Sequence, residues 1–252
     1  MLNLRTTDME SNIILSQLKE LKLFGMAEAF GDMAAMPVQM RPSLEGAVAK
    51  MIETERRMRD DKLAEKLRKA SKLKCNVFVS DISCGAARNL TQDTLTKLAD
   101  CGFMRRGENL VITGRTGTGK TYLACALGNQ ACMVGIKTLY LNMNRFSDVI
   151  KQARLDGTFN KLINRLDKKD LLILDDFGLQ PIDQETRLGL LTLLEERYEK
   201  KSMIIVSQLK IDKWYDYLRD PTLADAIMDR IIGTSHQVHL TGDSMRKRKT
   251  KL

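Results

Sequence analysis

Histidine is almost missing from this chain of 252 residues, which has only His236 and His239. Their H-x-x-H spacing is expected to be a pair on a strand end, not a metal centre. Cysteine is sparse and odd in number, with Cys75, Cys84, Cys101, Cys125 and Cys132. No two of them form C-x-x-C, so neither a disulfide framework nor a zinc site is expected, only buried reduced thiols. Aromatics make up 5% of residues and none interleaves with the basic stretches, which argues against a stacking platform for single-stranded bases. The apolar runs, such as LLIL and MIIV, are far too short to span a bilayer. The opening MLNLRTTDMESN lacks the apolar core of a secretory signal, so a cytoplasmic location with no membrane partner is expected.

What is present is positive charge and two textures. Lys and Arg number 41 against 32 Asp and Glu, a net charge of +9, which favours an anionic partner such as nucleic acid. From about Ile13 to Leu73 the pattern is helical. Ile14, Leu18, Leu21 and Gly25 recur at helical spacing, and Pro37 and Pro42 interrupt. A second helix is expected from about Ser43, with Val48, Met51, Ile52 and Met58 on one side, running into ERRMRDDKLAEKLRKASKLK, where basic residues outnumber acidic ones. From about Val77 short runs (NLVIT, KTLYLN, LLILD, MIIVS, QVHL) alternate with helical segments. That alternation predicts an α/β fold with a parallel sheet and helices on both faces. The expected domains are a small all-α region with a basic arm at 1–74, an α/β domain at 75–245 and a basic tail at 246–252.

The stretch VITGRTGTGKT carries the chemistry. Gly114 to Thr121 fits G-x-x-x-x-G-K-[ST] between a strand and a helix, the setting a phosphate-binding loop requires. Glycines let successive backbone N–H groups point inward as an anion nest, and the following helix aims its positive end at the same phosphates. The candidate nucleotide contacts are Gly114, Arg115, Thr116, Gly117, Thr118, Gly119, Lys120, Thr121 and Tyr122, with ATP as ligand. Lys120 would reach the β- and γ-phosphates, and Thr121 would ligate Mg²⁺. In DLLILDDFG a continuously apolar strand ends in Asp175, placed to hold Mg²⁺ directly or through water. Asp176 follows and is the candidate for polarising the attacking water. SMIIVSQL is another buried strand, ending in Ser207 and Gln208, where a polar group beside the γ-phosphate would orient water or report hydrolysis. Arg230 lies on a helix just before the last strand; touching a neighbour's γ-phosphate, it would stabilise transition-state charge.

Together these residues resemble the AAA+ ATPases, and more narrowly the IstB/DnaC group of transposon ATPase helpers and replicative helicase loaders. LKLFGMAEAF, DAIMDRI and the GDSMR close bring the chain nearer to IstB than to DnaC. The resemblance implies a P-loop NTPase core with strand order 5-1-4-3-2. It makes Lys120 and Thr121 the Walker A pair, Asp175 the Walker B carboxylate, Asp176 the catalytic acid, Gln208 sensor 1 and Arg230 the arginine finger. It also implies a homo-oligomer that assembles with ATP on double-stranded target DNA, reshapes it and stimulates a DDE transposase encoded beside it. Three departures stand out: Arg115 replaces a common proline, Asp176 a common glutamate, and Gln208 a common asparagine. The shorter Asp176 implies slow hydrolysis. The chain ends soon after its last strand, so no helical lid is evident, and Arg246 is the nearest substitute for a lid arginine.

Candidate DNA contacts are Arg56, Arg57, Arg59, Lys62, Lys66, Arg68, Lys69, Lys72 and Lys74, with the tail from Arg246 to Lys251. They suit phosphate contacts on duplex DNA with little sequence preference. The rival functions are a helicase loader of the DnaC kind, a P-loop small-molecule kinase, and a DNA-bound scaffold that uses ATP as a switch.

Overall fold

The computed structural model describes residues 2–245, with side chains from Met9 onward; the tail at 246–252, Arg246 included, lies outside the described residues. The chain divides into two compact units, Met1–Glu65 and Lys66–Leu252.

The first unit is helical: α1 (Leu2–Glu20), α2 (Phe24–Ala34) and most of α3 (Leu44–Ser71). The Ile14–Gly25 periodicity reads as one helix, but the chain breaks it at Leu21–Leu23. Lys22 turns left-handed, with φ 60°, and the Leu23 N–H donates to the Leu18 carbonyl at 2.8 Å. Such a turn satisfies the last carbonyls of a helix. Gly25 therefore falls in the first turn of a new helix, which starts at Phe24. A β-carbon there would come within 2.6 Å of the Glu55 Cα, so glycine permits the close approach of α2 and α3. Across that approach the Glu55 carboxylate accepts from the Gly25 N–H at 2.7 Å and the Met26 N–H at 3.2 Å, and Arg59 Nε donates to its other oxygen at 2.7 Å.

Burial pushes the Glu55 carboxyl up, but the Arg59 bond and the two backbone donors outweigh it and hold it below its ordinary 4.5. A carboxyl depressed on folding stabilises above its unfolded value, and that contribution fades as pH falls through the folded one. Glu55→Ala is expected to destabilise this unit by about 1–3 kcal/mol. Faster amide exchange across residues 24–34 at neutral pH reads it out; exchange equal to wild type contradicts it.

The second unit carries the sheet. In chain order it runs α4 (Gln92–Ala99), α5 (Gly102–Arg105), β1 (Asn109–Gly114), α6 (Lys120–Met133), β2 (Thr138–Asn142), α7 (Met143–Leu155), α8 (Phe159–Asp167) and β3 (Leu171–Phe177). It continues with α9 (Gln184–Arg197), β4 (Ser202–Ser207), α10 (Trp214–Leu218), α11 (Pro221–Ile232) and β5 (Ser235–Leu240). The five strands are parallel in the order β2-β3-β4-β1-β5. This is the predicted order read from the other edge. Among the described residues no helix follows β5.

Alternate strand residues feed two cores, as the pleat requires. Leu110, Ile112, Tyr140, Ile173 and Ile204 gather with Leu123 and Leu127 of α6. Val111, Leu141, Leu172, Leu174 and Ile205 gather with Phe146 of α7, Leu190 of α9 and Ile227 of α11. Helix α6 is buried nearly all round. A β-carbon on Gly128 would sit 2.7 Å from Leu73 on one side and 2.8 Å from Ile173 on the other. So the middle of the helix that begins at Lys120 is packed tightly against the sheet and the segment around Leu73.

Candidate functional site

The glycine loop joins the end of β1 to the start of α6. Gly114, Gly117 and Gly119 have φ of 146°, 84° and 90°, conformations that side chains rarely adopt. Each also faces a close neighbour. A β-carbon would collide with the Leu240 carbonyl at Gly114 and the Ser244 hydroxyl at Gly117, and would lie 2.8 Å from Arg88 Nη2 at Gly119. The Arg115 carbonyl holds the loop from within. It accepts from Thr118 Oγ1 at 2.9 Å and from Lys120 Nζ at 2.9 Å. The Met245 N–H donates to the Gly117 carbonyl at 2.9 Å. Thr116 Oγ1 donates to Gln208 Oε1 at 2.6 Å, which joins the loop to the end of β4. Ser207, the other polar end of that strand, donates to the Phe177 carbonyl at 2.6 Å and serves the fold.

Asp175 is fully buried. A buried carboxylate needs donors, and it has three. Thr121 Oγ1 donates to Oδ2 at 2.8 Å, the Tyr140 hydroxyl to the same oxygen at 2.7 Å, and the Asp176 N–H to Oδ1 at 2.8 Å. Burial, and then the adjacent Asp175, push the Tyr140 phenol up, so it stays a donor. Asp176 has φ 61° at an irregularity in β3, where the register with β4 slips between Leu174 and Phe177. Such bulges re-aim side chains. Here the Asp176 carboxylate meets Asn142 Nδ2, and Asn142 also caps α7 by accepting from the Asn144 N–H at 2.9 Å.

These groups surround a cavity of about 500 Å³ at the C-terminal edge of the sheet. Gly117, Gly119, Lys120, Thr121 and Tyr122 line it from the loop. Asp176 and Gln208 line it from the strand ends, and Lys74, Cys75, Asp81, Ser83 and Arg88 from the segment before β1. The predicted loop, carboxylates and Gln208 therefore come together. Arg230 does not join them. The Asn109 side chain, at the start of β1, donates to the Arg230 carbonyl at 3.0 Å. The loop lies beyond the other end of that strand, about 16 Å away at strand rise. Arg230 instead pairs with Glu195 at 3.2 Å.

The basic arm lies on and just after α3. Arg56, Arg57, Lys66 and Lys72 are exposed and Arg68 is half-buried. Arg59 is bound to Glu55, Lys62 stands 4.7 Å over the Phe24 ring, and Lys74 lines the cavity. The two histidines of β5 have local partners: His236 meets Glu108 at 2.7 Å and His239 meets Thr113 at 2.9 Å.

The donor set suits a magnesium-bound nucleoside triphosphate. It combines a loop whose glycines at 114, 117 and 119 all take positive φ, as an anion nest of backbone N–H groups needs, with a buried carboxylate joined to the hydroxyl of the P-loop threonine. Sequence reasoning missed Tyr140, Asn142, Arg88 and Met245. The strand order carried a signal for the first two. With β2 beside β3, Asn142 falls in register with Asp175, and Tyr140 lies two positions back on the same face. Arg88 and Met245 sit in loops and have no periodic signature.

A family model described as IstB-like ATP binding protein matches residues 16–252. A protein of Sinorhizobium fredii named as an insertion sequence ATP-binding protein is 36% identical over 238 residues, covering 94% of this chain and 97% of that one. One of Pseudomonas fluorescens is 38% identical over 196 residues, covering 77% and 85%. Among solved structures, AMPPCP-bound DnaA from Aquifex aeolicus superposes with a TM-score of 0.58 at 23% identity, and the match spans 71% of this chain but 56% of that one. The DnaC helicase loader gives a TM-score of 0.54 at 17% identity, covering 66% and 97%. At such identities these structures show the fold alone: that of the AAA+ P-loop ATPases. The curated relatives and the family match go further, and by them the chain belongs to the IstB-like ATP-binding proteins of insertion sequences.

Proposed function

We propose that this protein is a magnesium-dependent ATPase that oligomerises on double-stranded target DNA, remodels it and so stimulates the transposase of its insertion sequence. The reading rests above all on the pairing of a P-loop with the buried Asp175, in a chain alike along nearly its whole length to insertion sequence ATP-binding proteins. In this reading the loop amides from Gly114 to Thr121 hold the phosphates, Lys120 reaches the β- and γ-phosphates, and Tyr122 borders the nucleotide. Thr121 and Asp175 would hold Mg²⁺, which supplies charge neutralisation at the transferred phosphate. Asp176, held by Asn142, orients and polarises the attacking water. Gln208 senses the γ-phosphate and passes its state to the loop through Thr116. Arg230 reaches the phosphate of a neighbouring subunit. The exposed arm cations around Arg56, Arg57, Lys66 and Lys69 contact duplex phosphates. Bending a short duplex costs on the order of 1–6 kcal/mol, which many such contacts offset.

The test is sedimentation of wild type and Lys120→Ala with duplex DNA, with and without ATP. Large assemblies are expected only for wild type with both ligands. Equal behaviour of the two proteins removes ATP from the assembly.

A further inference from the structure

We infer that Arg88 is a nucleotide-contacting residue: it braces the P-loop from the segment before β1 and turns its remaining N–H groups to the polyphosphate of the bound nucleotide. The inference rests on the nucleotide-binding reading and adds to it a residue outside the loop, the two carboxylates and the sensor strand.

Arg88 ends a short 3-10 turn, Ala86–Arg88, inside a tight hairpin closed by the Gly85–Leu90 bridge. Asn89 takes a left-handed conformation, φ 52°, to complete the hairpin. The exit of β5 then fixes it in place. The Thr241 N–H donates to the Arg88 carbonyl at 3.1 Å, Thr241 Oγ1 to the Ala87 carbonyl at 3.0 Å, and Asn89 Nδ2 to the His239 carbonyl at 2.9 Å. Three bonds thus hold a turn whose long side chain lies against the P-loop. Nη2 donates to the Thr118 carbonyl at 2.9 Å, and Nη1 donates to the Ser83 carbonyl. Gly119 leaves the room the guanidinium occupies.

Guanidinium has five N–H donors, and two carbonyls account for two. Nε is buried with no acceptor among the described residues. That atom is closed to solvent even with the cavity empty, so the donors left for a ligand are the second N–H of Nη1 and of Nη2. Arg88 lines the same cavity as Lys120, Thr121 and Asp176. A planar, permanently charged fork suits phosphate oxygens better than a point charge does. Its carbonyl contacts are with neutral groups, which leaves its charge available to the anion. This hairpin, with Lys74 and Lys120, brings positive charge to the cavity from within the subunit.

Calorimetric titration of the full chain with Mg·ATP, Mg·ADP and AMP tests this on wild type, Arg88→Ala, Arg88→Lys and Arg88→Gln. Arg88→Ala is expected to weaken ATP and ADP by about tenfold or more and AMP by less than about threefold. Arg88→Lys is expected to recover part of the loss, because it restores charge without the fork. A brace acting only on loop shape needs a donor but no charge, so it gives the uncharged Arg88→Gln the same ATP affinity as Arg88→Lys, and that result overturns the inference, as does ATP binding by Arg88→Ala within about twofold of wild type. If the alanine variant does not fold, the comparison of Arg88→Gln with Arg88→Lys decides alone. A wild-type chain that binds none of the three nucleotides overturns the nucleotide reading itself, so the two failures are distinct.

Discussion

Asp176→Asn is expected to slow ATP turnover by about 10²–10⁴-fold while leaving ATP affinity within about twofold of wild type. The proposed role explains the size. A carboxylate that takes a proton from water in the transition state contributes to the chemical step and little to ground-state binding. The geometry explains why the change isolates that role. Asp176 sits at φ 61°, and asparagine tolerates the left-handed region nearly as well as aspartate. Its amide oxygen still accepts from Asn142 Nδ2, so the bond across the β2 and β3 ends survives. Asp175 keeps its Thr121 and Tyr140 donors, so the proposed metal side of the site is undisturbed. Steady-state phosphate release with duplex DNA, beside nucleotide titration, measures both halves. Turnover equal to wild type removes Asp176 from the chemistry; a matching loss of affinity makes it a binding residue instead.

The same neighbourhood marks the limit of what the sequence made legible. LLILD and MIIVS read as strands because each is buried on both faces, and continuous apolar runs are what a parallel sheet requires. The loop read as a phosphate cradle because three glycines and a lysine at fixed spacing have few other uses. The strand order came from family resemblance rather than from spacing. Composition had no means of placing the bulge that turns Asp176 left-handed, because it depends on where the ladder with β4 slips. Nor did periodicity reveal the break at Lys22. Leu21 and Gly25 keep helical spacing across it, and the deciding contact is with Glu55, thirty residues past Gly25. Arg88 was invisible for a related reason: what defines it is a hairpin held from residues 239–241, far away in the chain.

Arg230→Ala is expected to lower turnover by about 10³-fold or more, with nucleotide binding by the isolated subunit unchanged. The direction follows from where Arg230 sits. Its carbonyl is held by Asn109 at the start of β1, and the P-loop lies past the far end of that strand, beyond the reach of one arginine side chain. It therefore has no route to its own subunit's phosphates, and its proposed role exists only across a junction. In the isolated subunit it is engaged with Glu195 at 3.2 Å and with the Ala226 carbonyl at 3.0 Å, partners it would exchange for phosphate on assembly. Glu195 is half-exposed, so that pair is worth little and holds the side chain only loosely. Mixing supplies the decisive measurement. Arg230→Ala keeps an intact P-loop, and Lys120→Ala keeps an intact Arg230. Each alone is expected to be nearly inactive with duplex DNA. Combined, they form junctions in which one subunit offers the loop and the other the arginine, and turnover should rise well above the sum of the two. An arginine working within its own subunit gives no such rise, and a mixture as inactive as its parts ends the case for a shared site.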